Sequence, residues 1–321
     1  MQIERNELNQ NAKGGSELML ERLYSSLPPD LLSNFQIIPS RVRAIDPSKS
    51  RVLWLQDLPN DPESEHLRDP ELRKRFHCIV ANSNWQLQMY NTYLGVPYSQ
   101  SVVLRNAITP IEITEKAYDG TIRIVYHTTP HRGLELLIPV FEQLAERYDN
   151  IELDVFSSFA IYGWAERDRP YQELFERCKN HPKIRYHGSV DNATIREHLK
   201  TSHIFAYPCI WPETSCLAAI EALSAMNIIV CPNYAVLPET TGGFAAMYQW
   251  HEDPNAHITR FAATLEWAIQ NMAANGPPQA RLRFQKQWCD MLHDWGHVKN
   301  EWEGLLRKLA KDREYVTFRT S

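Results

Sequence analysis

Three apolar runs, Phe35–Ile38, Val52–Leu55 and Cys78–Ala81, are each a few residues long and bounded by turn-forming or charged residues. Runs that are apolar at consecutive positions suit strands buried on both faces, which occur in parallel sheets covered by helices. Similar runs follow at Ile122–Tyr126, Ile151–Phe156, Ile204–Pro208 and Ile228–Cys231, with helical patterns between them at Leu134–Arg147, Tyr171–Lys179 and Asn192–Ser202. From about residue 255 the reading is helical, over Ile258–Met272, Arg281–Leu292 and His297–Ala310. There Trp288, Trp295, Trp302, Val298, Leu305, Leu306 and Leu309 recur at helical spacing and read as packing residues. The expected fold class is α/β.

With 321 residues, 43% hydrophobic and 11% aromatic, the chain favours two domains over one. Its net charge of −5 argues against a nucleic-acid partner, which calls for a basic face. Six cysteines, none in a CxxC spacing and most within apolar runs, suggest neither a zinc site nor a disulfide framework, so a reducing, cytoplasmic compartment is expected. The start, MQIERNELNQ, has no apolar signal region, and no run approaches the ~18 apolar residues of a membrane span.

The most unusual stretch runs from Ile210 to Glu239 and holds two glutamates, Glu213 and Glu221, with seven residues between them. Thr214 and Ser215 are N-cap residue types, so a helix is expected to start there, and a helix N-terminus attracts anions. The helix body, from Cys216 to Leu223, is apolar nearly all round except at Glu221. A carboxylate in such a helix needs partners, which ligand hydroxyls, a structural Arg or solvent could supply.

Elsewhere, Gly14-Gly15-Ser16-Glu17 reads as a glycine turn entering an amphipathic helix that ends at Pro28-Pro29. Gln56-Asp57 falls past the carboxyl end of a strand, where open α/β sheets bind ligands, although Asp57 serves equally well as a loop cap. The charged segment Glu63–Phe76, with Arg68, Arg73, Lys74 and Arg75, reads as a solvated helix face in preference to a surface for an anionic acceptor or lipid head groups. Ser83 or Asn84 caps the next helix, and residues 109–120 read as a hinge ending in Asp-Gly.

The pattern Pro212-Glu213, seven residues, Glu221, a small-residue helix, a strand and Leu237-Pro238-Glu239 resembles the signature of the retaining family 4 glycosyltransferases of the GT-B fold. His127-Thr128-Thr129-Pro130-His131-Arg132-Gly133 resembles that family's diphosphate loop, Ile184–Val190 its base-reading strand and turn, and Trp295–Leu306 its final crossing helix. Val102–Ile108 resembles the strand that leaves its first domain. The resemblance implies two Rossmann-like domains facing a cleft, the first abbreviated, with the C-terminal helix crossing back. The implied boundaries are 1–117 for the acceptor side, 118–296 for the donor side and 297–321 for the returning helix.

The resemblance also implies the roles. Arg132, Glu213, His127 and Asp57 are the catalytic candidates. Gly14, Gly15, Arg132, Ser189, Val190, Thr214, Ser215, Cys216, Leu217 and Glu221 are the donor-binding candidates, with Glu213 facing the sugar, the amides of Thr214–Leu217 taking the diphosphate and Glu221 accepting from ribose hydroxyls. A fixed cation at Arg132 would stabilise charge growing on a leaving diphosphate. No metal and no cofactor beyond a UDP- or GDP-sugar is implied.

Several positions depart from the family pattern. Thr214-Ser215 stands where Phe-Gly is commonest and Asn227 where Gly ends the helix, Asn being the next-best residue for a left-handed turn. His127 replaces an Arg, Gln56 a His, and only Ile3 is available for a strand ahead of the glycine turn. The expected reaction is sugar transfer to an acceptor hydroxyl on a glycan or glycoconjugate with retention of configuration, as in a hexosyltransferase. A nucleotide-sugar epimerase or a non-catalytic sugar- or nucleotide-binding domain are the alternatives. A dehydrogenase is disfavoured because no GxGxxG follows a strand.

Overall fold

The structure, a computed structural model, describes residues 14–320, with side chains to residue 311. Residues 1–13, and with them Ile3 and the polar start, lie outside the described residues. The chain forms two compact units, one of Gly14–Thr109 together with the chain from Leu292 onward, the other of Pro110–Met291. The boundaries expected at 117/118 and 296/297 each lie a few residues C-terminal of the corresponding division, after Thr109 and after Met291.

The first unit is built on a four-stranded parallel sheet, β1 Phe35–Pro39, β2 Ser50–Trp54, β3 Cys78–Ala81 and β4 Ser101–Val103, in chain order. Its strands bury Ile38, Leu53, Ile79 and Ala81 against Leu87, Tyr90 and Leu94 of the helix Asn84–Leu94. Ser83 caps that helix by accepting from the Gln86 amide at 3.0 Å. The helix Trp295–Thr320 also belongs to this unit, and Val298, Trp302 and Leu306, four residues apart, form its buried stripe. Trp302 meets Trp54 of β2 edge to face at 4.8 Å, and the indole of Trp295 donates to Ser26 Oγ at 2.9 Å. Burial of Val298 and Leu306 contributes roughly 2 kcal/mol each.

The charged segment pairs largely with itself: Arg68 with Glu65 at 2.7 Å and Lys74 with Glu71 at 2.5 Å, while Arg73 donates to the carbonyls of Leu67 and Leu94.

The second unit carries a six-stranded parallel sheet: β5 Ile122–Tyr126, β6 Ile151–Val155, β7 Ile184–Tyr186, β8 Ile204–Ala206, β9 Ile228–Pro232 and β10 Ala246–Tyr248. The spatial order is β10-β9-β8-β5-β6-β7. From β5 the chain winds outward through β6 and β7, then returns to the other side of β5 and continues through β8, β9 and β10. Loops leaving β5 and β8 therefore diverge, and a crevice opens at the carboxyl ends of those two strands. The three-residue β10 has no counterpart in the sequence reading.

Of residues 109–120, expected as a hinge, those from Pro110 onward are laid onto this unit. Ile111 donates its amide to Ser224 Oγ at 2.9 Å, and the buried Lys116 donates to the carbonyl of Leu199 at 2.6 Å. Among the described residues no helix is long and apolar enough to cross a membrane.

Candidate functional site

The loop leaving β5 is fixed at both ends. The buried Tyr126 donates its hydroxyl to the Thr129 carbonyl at 3.0 Å, turning the chain back toward the sheet. At the far end Gly133 has φ +124, and a Cβ there would lie 2.2 Å from the carbonyl oxygen of Pro208, in the loop leaving β8. Only glycine allows that approach. The Ile210 amide donates to the Arg132 carbonyl at 3.4 Å, so the two loops are tied where the strand order reverses.

Side chains from both loops meet there. Arg132 pairs through Nη1 with Glu213 Oε1, and the hydroxyl of the fully buried Tyr207 donates to the same oxygen. Burial opposes the charge on Arg132, but the Glu213 carboxylate outweighs it and holds the guanidinium well above its ordinary pKa. Burial, with the carboxylate adding to it, raises the Tyr207 hydroxyl far above its ordinary value, which keeps it a proton donor.

His127 is buried and its ring lies 4.5 Å from that of Phe205. Burial pulls its pKa down to about 3, so it is neutral near pH 7 and carries no charge where the family pattern has an Arg. Buried Nε2 of His127, Oγ1 of Thr129, Nδ1 of His131 and Nε of Arg132 have no hydrogen-bond partner among the described residues. Native interiors leave few such atoms, and a run of them in one loop marks a place where a polar ligand completes the structure. His131 stacks on Phe159 at 5.1 Å and meets the exposed Trp211 edge-on at 5.0 Å; burial followed by the charges of Arg132 and Arg167 lowers its pKa to about 4.

The helix after Glu213 begins later than its sequence suggests. It spans Leu217–Ser224, and its N-cap is Cys216 in the left-handed region at φ 60, not Thr214 or Ser215. Val236 donates its amide to the Glu213 carbonyl at 3.4 Å and Thr240 its hydroxyl to the Ser215 carbonyl at 2.7 Å, which holds residues 213–215 out of the helix. The left-handed residue ending the helix is Met226 at φ 61, not Asn227. The amides of Met226 and Asn227 close onto Leu223 and Ala222, the double bond of a Schellman turn, and the Asn227 amide side chain donates to Leu199.

Glu221, 5% exposed, accepts from Asn192 Nδ2 at 2.9 Å and lies 3.5 Å from Arg196 Nη1. Asn192 opens the helix Asn192–Thr201, directly after the turn bearing the exposed Ser189 and half-buried Val190. The expected base-reading turn and the expected ribose carboxylate are thus joined through side chains that the sequence did not single out.

A family model for glycosyl transferases group 1 matches residues 113–286, more than half of the 321-residue chain. The chain belongs to this family. Two curated relatives are phosphatidylinositol N-acetylglucosaminyltransferase subunits, one from Homo sapiens, 26% identical over 155 residues, and one from Arabidopsis thaliana, 22% over 191. These alignments cover 46% and 60% of this chain but 31% and 39% of those proteins, so the chain spans about a third of its relatives' length. A glycosyltransferase from Rickettsia africae superposes with a TM-score of 0.66 at 14% identity, covering 95% of this chain and 84% of that one. Anabaena HepE in complex with UDP-glucose gives 0.62 at 13%, covering 81% and 72%. At such identities the likeness is one of fold, and it places this chain in the GT-B architecture.

The group 1 model begins at residue 113, so it covers none of the candidates on the first unit. Gly14 precedes the helix Gly15–Ser26 as its N-cap, and Ser16 Oγ donates to Gln56 Oε1 at 3.2 Å, which brings the glycine turn to the end of β2. Asp57 is half-buried, 3.7 Å from Arg41 Nε, and its own carbonyl accepts from Gln86 and Tyr90. Burial raises its carboxyl pKa against the opposing pull of Arg41. Glu17 is raised likewise, by burial first and by Asp57 in smaller part. The loop cap is Asp61, which accepts from the Glu63 amide at 2.8 Å, not Asp57. Sequence reasoning passed over Glu17 because it reads as an ordinary first-turn acid.

Proposed function

We propose that this chain transfers a sugar from a nucleoside diphosphate sugar to a hydroxyl of a glycan or glycoconjugate, with retention of anomeric configuration. The observation that carries this reading is the Arg132–Glu213 pair at the strand reversal, beside a loop in which buried side-chain atoms of His127, Thr129, His131 and Arg132 find no partner among the described residues. Arg132 and the amides at the start of the helix Leu217–Ser224 offer positive charge to a departing diphosphate. His127 adds a neutral hydrogen bond, and Ser189, Val190 and Glu221 take the nucleoside.

Glu213 is the carboxylate of this cluster, and both its cationic and its hydroxyl partner hold one of its oxygens. A group so engaged suits a role in positioning the sugar and is a poor general base. The departing phosphate oxygen is left to accept the acceptor's proton, so attack comes from the face the diphosphate leaves, and configuration is retained. Within this proposal Asp57 keeps its role toward the acceptor, and Gly14 and Gly15 keep theirs toward the donor. HepE was crystallised with UDP-glucose, and the curated relatives bear the name phosphatidylinositol N-acetylglucosaminyltransferase, which favours a UDP-sugar over a GDP-sugar and a lipid-linked acceptor. No step requires a metal, and a cytoplasmic location is part of the proposal.

The test is release of nucleoside diphosphate from UDP- and GDP-sugars in the presence of glycolipid and glycan acceptors, followed by NMR of the product anomer. Acceptor-dependent release with the donor's anomeric configuration is expected. An inverted product would refute the front-face mechanism, and epimerised donor formed without acceptor would refute transfer.

A further inference from the structure

The loop leaving β8 begins with a tyrosine that the reaction as described does not use. Tyr207 is fully buried, its amide donates to the Val230 carbonyl at 2.9 Å, and its ring stacks on Phe205 at 5.2 Å and 17°. Tyr126, at the end of β5, lies 6.2 Å away, ring to ring. Each of the two strands flanking the reversal therefore delivers a buried tyrosine whose hydroxyl acts on its own loop: Tyr126 on the Thr129 carbonyl, Tyr207 on the Glu213 carboxylate.

Every hydrogen bond that the described residues give the Glu213 carboxylate falls on Oε1, from Arg132 and from Tyr207. Arg132 alone leaves the carboxylate free to turn about that contact, since one bond fixes a distance but not an orientation. A second donor on a rigid, stacked ring at a different angle removes that freedom. We propose that Tyr207 is a positioning residue that locks Glu213 with Oε1 committed to the protein and Oε2 presented to a hydroxyl of the donor's sugar. This rests on the nucleoside diphosphate sugar reading above. It goes further in assigning recognition of the sugar, as opposed to the diphosphate, to a side chain that touches neither. A sugar hydroxyl donating to a carboxylate whose other oxygen is saturated is read by direction, so the position and axial or equatorial setting of that hydroxyl become selective.

The experiment is calorimetric titration of wild type and Tyr207→Phe with UDP, GDP and ADP and with their glucose conjugates. Phenylalanine keeps the stack on Phe205 and removes one oxygen, and urea unfolding checks that the variant is folded. The quantity read is the ratio of Kd for the sugar nucleotide to Kd for its parent diphosphate. Tyr207→Phe is expected to raise that ratio about tenfold while the diphosphate Kd moves less than about twofold. In a Glu213→Ala background the same change is expected to leave the ratio where it is, a result that a merely structural tyrosine would not give. An unchanged ratio in Tyr207→Phe, or an equal rise in the Glu213→Ala background, overturns the assignment and leaves the donor reading standing. If wild type binds none of the six compounds, both fall. Should Tyr207→Phe not fold, Glu213→Asp is titrated instead, since it withdraws the carboxylate from the hydroxyl by one methylene; an unaltered ratio there overturns the assignment as well.

Discussion

Arg132 and Glu213, 81 positions apart in the chain, form a part-buried ion pair across the point where the sheet of the second unit reverses its strand order. Arg132 keeps 21% of its side-chain surface and Glu213 8%, so solvent can do little for either if the other is removed. Breaking such a pair from one side is expensive because a charge stays behind. Arg132→Met is expected to cost about 3 kcal/mol in urea unfolding. The double variant Arg132→Met, Glu213→Gln should cost clearly less than the sum of the two single changes. Additive losses would mean that the two side chains do not act on each other.

Gly133→Ala tests how closely the two loops approach. The added Cβ meets the Pro208 carbonyl at 2.2 Å with φ at +124, so both sterics and backbone geometry oppose it. A loss of more than about 1 kcal/mol is expected, together with loss of nucleotide binding, because the loops that carry Arg132 and Glu213 must separate. A variant with wild-type melting temperature and binding would show that the loops are free to move apart.

His127 gives stability a defined pH dependence. Burial holds its folded pKa at about 3, whereas an unfolded imidazole titrates near ~6.5. Between these values the unfolded chain binds the extra proton, so stability is lost as pH falls from about 6.5 toward 3. Replacing His127 with Phe, beside Phe205, removes that group. From pH 7 to pH 5 the variant should lose about 2 kcal/mol less stability than wild type, measured by urea unfolding. Parallel losses in both proteins would place His127 in a solvated setting.

The sequence carried the parallel α/β fold because strands covered on both faces are written as unbroken apolar runs, and its resemblance to the family pattern pointed to Arg132 and to Glu213, though not to their pairing. It did not carry local conformation set by distant contacts. Thr214 and Ser215 look like helix caps by type, but bonds from Val236 and Thr240 hold that backbone in a loop and pass the start of the helix to Cys216. Asn227 suits a left-handed turn better than Met226, yet its side chain is needed at Leu199 and Met226 takes the turn. Asn192 and Arg196 were illegible for a related reason. On their own helix they look like surface residues, and only the fold brings them to Glu221 from 29 and 25 positions away.

Glu221 supplies the most direct test of the central claim, that the second unit binds a nucleotide at the strand reversal. Calorimetric titration of UDP, GDP, ADP and CMP into wild type and into Glu221→Ala separates the outcomes. One nucleoside diphosphate, expected to be UDP, should bind wild type, and Glu221→Ala should weaken it about tenfold or more while remaining folded, if the carboxylate accepts from a ribose as proposed. Equal binding by both proteins, or no binding by folded wild type, would contradict the claim.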